Sequence, residues 1–187
     1  MSELVQYIQG YFGIKEENIA KLTPLFQETM LKKGEYFIQK GQQCRNLSFI
    51  RSGQLRVFNF DGEKEITQWI STQGEFATDL SSMVFDTPAR WNIQALSDCE
   101  LFNISKEKYR KIGEFVENWD YLEKLFIAKC FLTLEDRVYS FLSMSAEERY
   151  KALFEQKKEL FNTTQQYYLA SMLGMSPETL SRIRKKS

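Results

Sequence analysis

The stretch Thr164–Ser187, TQQYYLASMLGMSPETLSRIRKKS, decides how the rest of the chain is read. Leu169, Ala170 and Leu173 fall on one face of a helix that Thr164 can cap. Gly174 follows, where a chain leaving a helix in the left-handed conformation needs a residue without a Cβ. Ser176-Pro177-Glu178 then opens a second helix, with Ser as N-cap, Pro at the first helical position and Glu near the positive helix end. Leu180 and Ile183 are the inward residues of that second helix, and small Ala170 lets the two helices approach. This is the spacing of a helix-turn-helix, whose second helix enters the DNA major groove. The outward residues are Glu178, Thr179, Ser181, Arg182, Lys185 and Lys186. Arg can pair with guanine, Glu can accept from cytosine, Thr can touch a thymine methyl, and terminal lysines suit phosphates. A plain helical hairpin with a solvated charged end would not need cap, glycine, alanine and apolar positions to fall together.

Working back from this motif, Ser145-Ala-Glu-Glu is a capping-box pattern that starts a helix through about Gln156. Asp120–Leu142 carries apolar residues almost all round, so it must be covered on several sides. Within it Tyr121, Leu125, Ala128 and Leu132 follow the 4-3-4 spacing of a short coiled-coil seam, which predicts a dimer. Ser105 is an N-cap at the point where the chain turns helical. Before it, about residues 33–104, the period is two and glycines punctuate short strands: EYFIQ, LSFIRS, QLRVFNF, KEITQWIST, GEFATDL, RWNIQAL and CELFNIS. Asp61-Gly62 between two alternating runs is a hairpin signal. Short strands at this spacing predict an all-β barrel or sandwich. Residues up to about Met30 read as helix, with Pro24 a break or kink.

Composition narrows the function. The 187 residues, 43% hydrophobic and 27% charged, describe an ordinary globular chain of one or two domains. There is no His, which removes the usual general base and the commonest metal ligand, and no nucleophile–base pair or metal constellation can be named. The expectation is a protein that is not an enzyme and carries no metal or cofactor. Cys44, Cys99 and Cys130 are widely spaced and odd in number, which fits a reduced, cytoplasmic protein. No apolar run approaches the ~20 residues of a membrane span, and no signal peptide is visible. The formal net charge is zero, yet Ser145–Ser187 holds 8 Lys/Arg against 5 Asp/Glu. A basic end on an acidic body points to a nucleic-acid partner.

A glycine-punctuated β-domain, a long apolar helix and then this motif resemble the Crp/Fnr (cyclic-AMP receptor protein-like) family. The stretches that carry the resemblance are QGEFATDL followed by CELFNIS, FLTLEDRVYSFL, and YYLASMLGMSPETLSRIRK. The resemblance implies an α+β chain: a β-roll sensor domain over 1–116, a dimerisation helix over 117–134 and a DNA-binding helix-turn-helix domain over 135–187. It further implies a homodimer on a palindromic operator, with Glu178, Thr179 and Arg182 reading bases and Thr164, Gln165, Ser176, Ser181 and Lys185 as further DNA contacts. The family often has an arginine where Pro177 stands, and the chain stops at the end of the recognition helix without the usual β-wing.

In nucleotide-binding members the phosphate cassette reads Gly-Glu-Leu, a short helix, then Arg-Ser or Arg-Thr. Glu holds the ribose hydroxyl, while Arg and helix-end amides neutralise the cyclic phosphate. Here Thr78-Asp79-Leu80 stands for the first element and Ala89-Arg90 for the second, with Trp91 beside the pocket. The Gly is lost, Glu is the shorter Asp, and Arg has moved one place along a strand, to its opposite face. The expectation is a regulator that senses an unknown small effector, or none, and not cyclic AMP. Two alternatives stay open: a cyclic-nucleotide regulator with a relaxed cassette, and a dimeric ligand-binding or interaction module that has lost DNA binding.

Overall fold

A computed structural model describes residues 2–186, with the backbone alone at residues 2 and 16. The chain forms two compact units: Met1–Val57 with Ser71–Lys129, and Phe58–Ile70 with Cys130–Ser187. The architecture is α+β, an N-terminal β-roll followed by helices.

Helix α1 (Ser2–Phe12) and helix α2 (Glu16–Leu22) precede a tight turn at Thr23–Leu25. The strands are β1 (Gln27–Leu31), β2 (Tyr36–Ile38), β3 (Asn46–Ser52), β4 (Leu55–Asp61), β5 (Lys64–Ser71), β6 (Phe76–Ala77), β7 (Asn92–Ala95) and β8 (Cys99–Ser105). Helix α3 (Leu80–Phe85) interrupts the series after β6. One sheet has the order β1-β8-β3-β6 and the other β2-β7-β4-β5. Antiparallel register sets Gln27 opposite Asn103, Phe49 opposite Phe102 and Ser48 opposite Ala77.

Two boundaries differ from the sequence reading. The expected helix to about Met30 ends at Leu25, and the β-region begins at Gln27, not near residue 33. QETML has no alternation, and its residues are almost all exposed, so only its pairing with β8 makes it a strand. The stretch read as all-β also contains α3. In contrast, the Asp61-Gly62 turn joins β4 to β5 as expected, with Gly62 at φ 59°.

Helix α4 (Lys106–Arg110) starts on the Ser105 cap, whose hydroxyl accepts from the Lys108 N–H. A short turn at Ile112–Glu114 leads to α5 (Trp119–Ser143), 25 residues and therefore roughly 37 Å long. Within the first unit, α5 is seated by Phe126, 1% exposed, whose ring lies 4.7 Å from Phe12 and 5.0 Å from Phe76. Trp119 meets Phe12 at 5.1 Å, and Lys129 Nζ donates to the last carbonyls of α1, at Gly10 and Tyr11. Aromatic burial of this kind contributes about 1.5–3 kcal/mol per side chain, so α1 and the first turns of α5 are fixed on the roll together.

The second unit holds α6 (Ala146–Gln156), α7 (Lys158–Thr163), α8 (Gln166–Met172) and α9 (Pro177–Lys186). The capping box is present: Ser145 accepts from Glu148 N–H, and the Glu148 carboxylate accepts from Ser145 N–H. Tyr150, Phe154 and Phe161 form an aromatic cluster with ring centroids 5.3–5.7 Å apart. Helix α7 gives no periodic signal long enough to be read from sequence.

Candidate functional site

The α8–α9 pair is built around one aromatic ring. Gly174 has φ +66°, and a Cβ there would lie 2.4 Å from Phe141 Cε1. The chain leaves α8 in a Schellman turn: Met175 N–H donates to Ala170 O at 3.0 Å and Gly174 N–H to Ser171 O at 3.1 Å. Two further carbonyls at the helix end are taken by arginines. Arg137 donates to Met172 O, and Arg149 donates through Nε to Leu173 O at 3.0 Å and through Nη1 to Met144 O at 2.7 Å. Both guanidinium groups also lie over the Phe141 ring, at 5.1 and 4.9 Å. Burial pushes Arg137 down to about 10, which leaves it charged at neutral pH. Sequence reading missed all three residues, because nothing in the local pattern around 137, 141 or 149 announces a shared target at 172–174.

Helix α9 starts as expected. Ser176 Oγ accepts from Thr179 N–H at 3.2 Å. Leu180 and Ile183 are buried. Gln166 on α8 reaches across, its Nε2 donating to Pro177 O at 2.7 Å. Ser171 Oγ accepts from Thr67 N–H and donates to Glu65 O, which fastens α8 to the edge of β5. Thr164 does not cap α8: it closes α7, its N–H donating to Leu160 O, and Gln165 stands at the α8 N-cap without a side-chain cap bond. The reason is the unforeseen α7, which runs to Thr163 and takes Thr164 as its own end. The outer surface presents Gln165, Ser176, Glu178, Arg182 and Lys185 as exposed, and Thr164, Thr179 and Ser181 as half-buried. Arg184, also exposed, adds a cation that the sequence reading left out. Arg182 Nη2 donates to Thr179 Oγ1 at 3.3 Å, so these two side chains share an orientation. The Glu178 carboxyl is lowered by its own backbone N–H and by the Ser176 hydroxyl, and stays ionised.

The cassette region in the first unit is closed by its own groups. Asp79, 5% exposed, is the N-cap of α3. Its Oδ1 accepts from Ser82 N–H at 3.0 Å and Ser81 Oγ at 2.6 Å, and its Oδ2 accepts from Arg90 N–H at 2.8 Å. Thr78 Oγ1 donates to Asn46 O. Ala89 is buried, Leu80 and Trp91 are half-buried, and the Arg90 side chain is exposed. Arg90 and Trp91 precede the strand expected to hold them: β7 begins at Asn92, because the Arg90 N–H goes to Asp79 and not to a ladder.

The far end of α3 is clamped as well. Asp86, in the left-handed conformation at the helix C-cap, accepts from Lys106 Nζ at 2.6 Å and from Arg110 Nη2 at 2.6 Å. Buried Lys106 also donates to Ser82 O at 2.6 Å. Hydrogen bonds from Lys106, then Arg110, hold the Asp86 carboxyl down at about 2.

Along α5, Tyr121, Leu125, Ala128 and Leu132 are all exposed, and the same 4-3 spacing continues through Glu135, Tyr139 and Leu142, exposed too. Among the described residues no group of His, Cys, Asp and Glu could hold a metal ion, and no helix is long and apolar enough to cross a membrane.

The β-roll with its inserted short helix is the part of the chain that a family model covers. Residues 28–114 match the family described as "Cyclic nucleotide-binding domain". No curated protein matches the chain by sequence. Among solved structures it is similar to FixK2 from Bradyrhizobium japonicum, with a TM-score of 0.74 and 15% identity, covering 86% of this chain and 83% of that one. It is also similar to the c-di-GMP responsive global regulator CLP of Xanthomonas campestris, with a TM-score of 0.67 and 15% identity over 92% and 91% of the two chains. The cAMP-bound PfPKA-R chain matches at a TM-score of 0.56 and 14% identity, over 63% of this chain, which spans 42% of that one. At these identities the likeness is one of fold.

A carboxylate with a depressed pKa contributes stability above its ordinary value, and that contribution is lost as pH falls through the folded value. The Asp86 clamp should therefore be intact above the ordinary 3.8 and fail near 2. An NMR titration of the Asp86 carboxyl should give a midpoint near 2, and Asp86→Asn should lower the hydrogen-exchange protection of α3 at neutral pH. A midpoint at the ordinary value would contradict the clamp.

Proposed function

We propose that the chain is a dimeric, DNA-binding transcription regulator of the Crp/Fnr type, with no catalytic step of its own. Residues 1–116 are the sensor domain, 117–134 the dimerisation helix and 135–187 the DNA-binding domain. The observation that carries this reading is the α8–α9 pair: a left-handed glycine turn set on Phe141, followed by a helix that buries Leu180 and Ile183 and presents Glu178, Arg182, Arg184 and Lys185 outward. In the major groove, Glu178, Thr179 and Arg182 read base edges. Thr164, Gln165, Ser176, Ser181 and Lys185 contact the backbone and set the register. The thiols fit a cytoplasmic setting: Cys44 and Cys99 are buried, and burial pushes Cys130 up to about 11.

The dimer seam is Tyr121, Leu125, Ala128 and Leu132, whose exposure on one chain leaves an apolar stripe for a second copy. Leu125→Lys with Leu132→Lys should convert a dimer into a monomer by sedimentation. A wild-type chain that is already monomeric at micromolar concentration would overturn the dimer.

The β-roll senses an effector other than cyclic AMP or cyclic GMP, or none. Both oxygens of Asp79 are committed to α3 and Arg90 N–H, so the carboxylate that would hold a ribose occupies the helix end that would hold a phosphate. Calorimetry with either nucleotide should show nothing tighter than about 100 μM. A submicromolar isotherm would favour the nucleotide-responsive alternative.

Binding to a random-sequence duplex pool should weaken steeply with salt, and Lys185→Ala should reduce the log–log slope by about one. No binding at low salt would favour the module that has lost DNA binding.

A further inference from the structure

The first unit holds a cavity of about 250 Å³ between α3 and the start of α5. One wall is Leu80, Met83 and Val84, which share a face of α3 by i, i+3, i+4 spacing. The facing wall is the start of α5, with Trp119, Phe126 and Ile127. It meets the cassette at Leu80 alone: none of Thr78, Asp79, Ala89, Arg90 or Trp91 lines it.

Its chemistry is uneven in an informative way. The floor is apolar and aromatic, with Tyr109 edge-on to Trp119 at 5.5 Å. The rim carries two carboxylates, Asp120 and Glu123, one turn apart on α5. Among the described residues neither takes part in an ion pair. Arg110, which also lines the cavity, has its guanidinium on Asp86 at 2.6 Å. Two carboxylates against the one positive charge that Asp86 leaves over at Lys106 and Arg110 give the rim a net negative charge above an aromatic surface, a combination that recognises an ammonium group. A cavity of ~150 Å³ accommodates benzene, so this one has room for a single ring and a short arm.

We propose that the cavity binds a small organic ammonium ion, with its apolar body between α3 and α5 and its charged head at Asp120 and Glu123. This assignment stands apart from the DNA reading, and its test reads ligand binding alone.

The test is a titration of the full chain with 2-phenylethylammonium, followed by NMR and calorimetry, with 2-phenylethanol as the neutral counterpart. Saturable binding of the amine is expected, weaker by about tenfold for the alcohol, and weaker by about tenfold in Glu123→Gln or Asp120→Asn. Val84→Trp, at a half-exposed position, should fill the space and abolish binding with little change in Tm. The absence of saturable binding at millimolar amine would overturn the proposal, as would equal binding of amine and alcohol. Binding unchanged by Val84→Trp would place the amine elsewhere and also overturn it. Binding that appears only on dilution to monomer would mean that a second copy covers the cavity, which overturns the small-molecule assignment.

Discussion

The second unit depends on the contact between Gly174 and Phe141. Any Cβ at position 174 would sit inside the ring's contact distance, so the turn between α8 and α9 can approach α5 only at a glycine. The same ring is flanked by Arg137 and Arg149, which stack on it and donate to the carbonyls that α8 leaves open at its C-terminal end. One aromatic side chain thus orders three consequences: the left-handed turn, the satisfied helix end and the direction in which α9 departs. The outward set of Glu178, Arg182 and Lys185 is aimed by that direction. Losing the ring would remove the aromatic face that the half-buried Arg137 and Arg149 share, leaving Arg137 the Trp69 ring at 5.4 Å.

In the first unit the corresponding constraint is electrostatic. Helix α3 is short, so a large share of its backbone groups lack partners within the helix. Asp79 serves the N-terminal end and Lys106 the C-terminal end, where Ser82 O accepts its proton. Asp86 then pairs with both Lys106 and Arg110 and offsets one of their two charges. A cassette built to receive an anion would leave its helix-end amides open. Here an internal carboxylate already fills them, and an exogenous phosphate would have to displace three hydrogen bonds to Asp79.

Features set by neighbours in sequence were legible. The Asp61-Gly62 hairpin, the Ser105 and Ser145 caps, and the Gly174 turn each rest on a few adjacent residues, and each is present. Features set by convergence were not. The strand Gln27–Leu31 exists because β8 supplies its ladder, and its own residues show no alternation. Lys106, Arg110 and Asp86 meet across about twenty positions, and Arg137, Phe141 and Arg149 meet Gly174 across more than twenty. Thr164 ends α7 and does not start α8, because α7, only 6 residues long, gives no periodic signal and moves the α8 cap by one position, to Gln165. Of the cassette, the departures at Asp79 and Arg90 could be read in the sequence, but not that Asp79 would bind Arg90's own backbone.

The central claim is that two copies of α9, joined through α5, read DNA as a symmetric pair. Selection from random duplexes at low salt tests it most directly. The account predicts an enriched palindrome with half-sites about one helical turn, ~34 Å, apart, and relaxed preference at one base pair of each half-site for Arg182→Ala. Recovery of no enriched sequence, or of unpaired single half-sites by a dimeric protein, would contradict it.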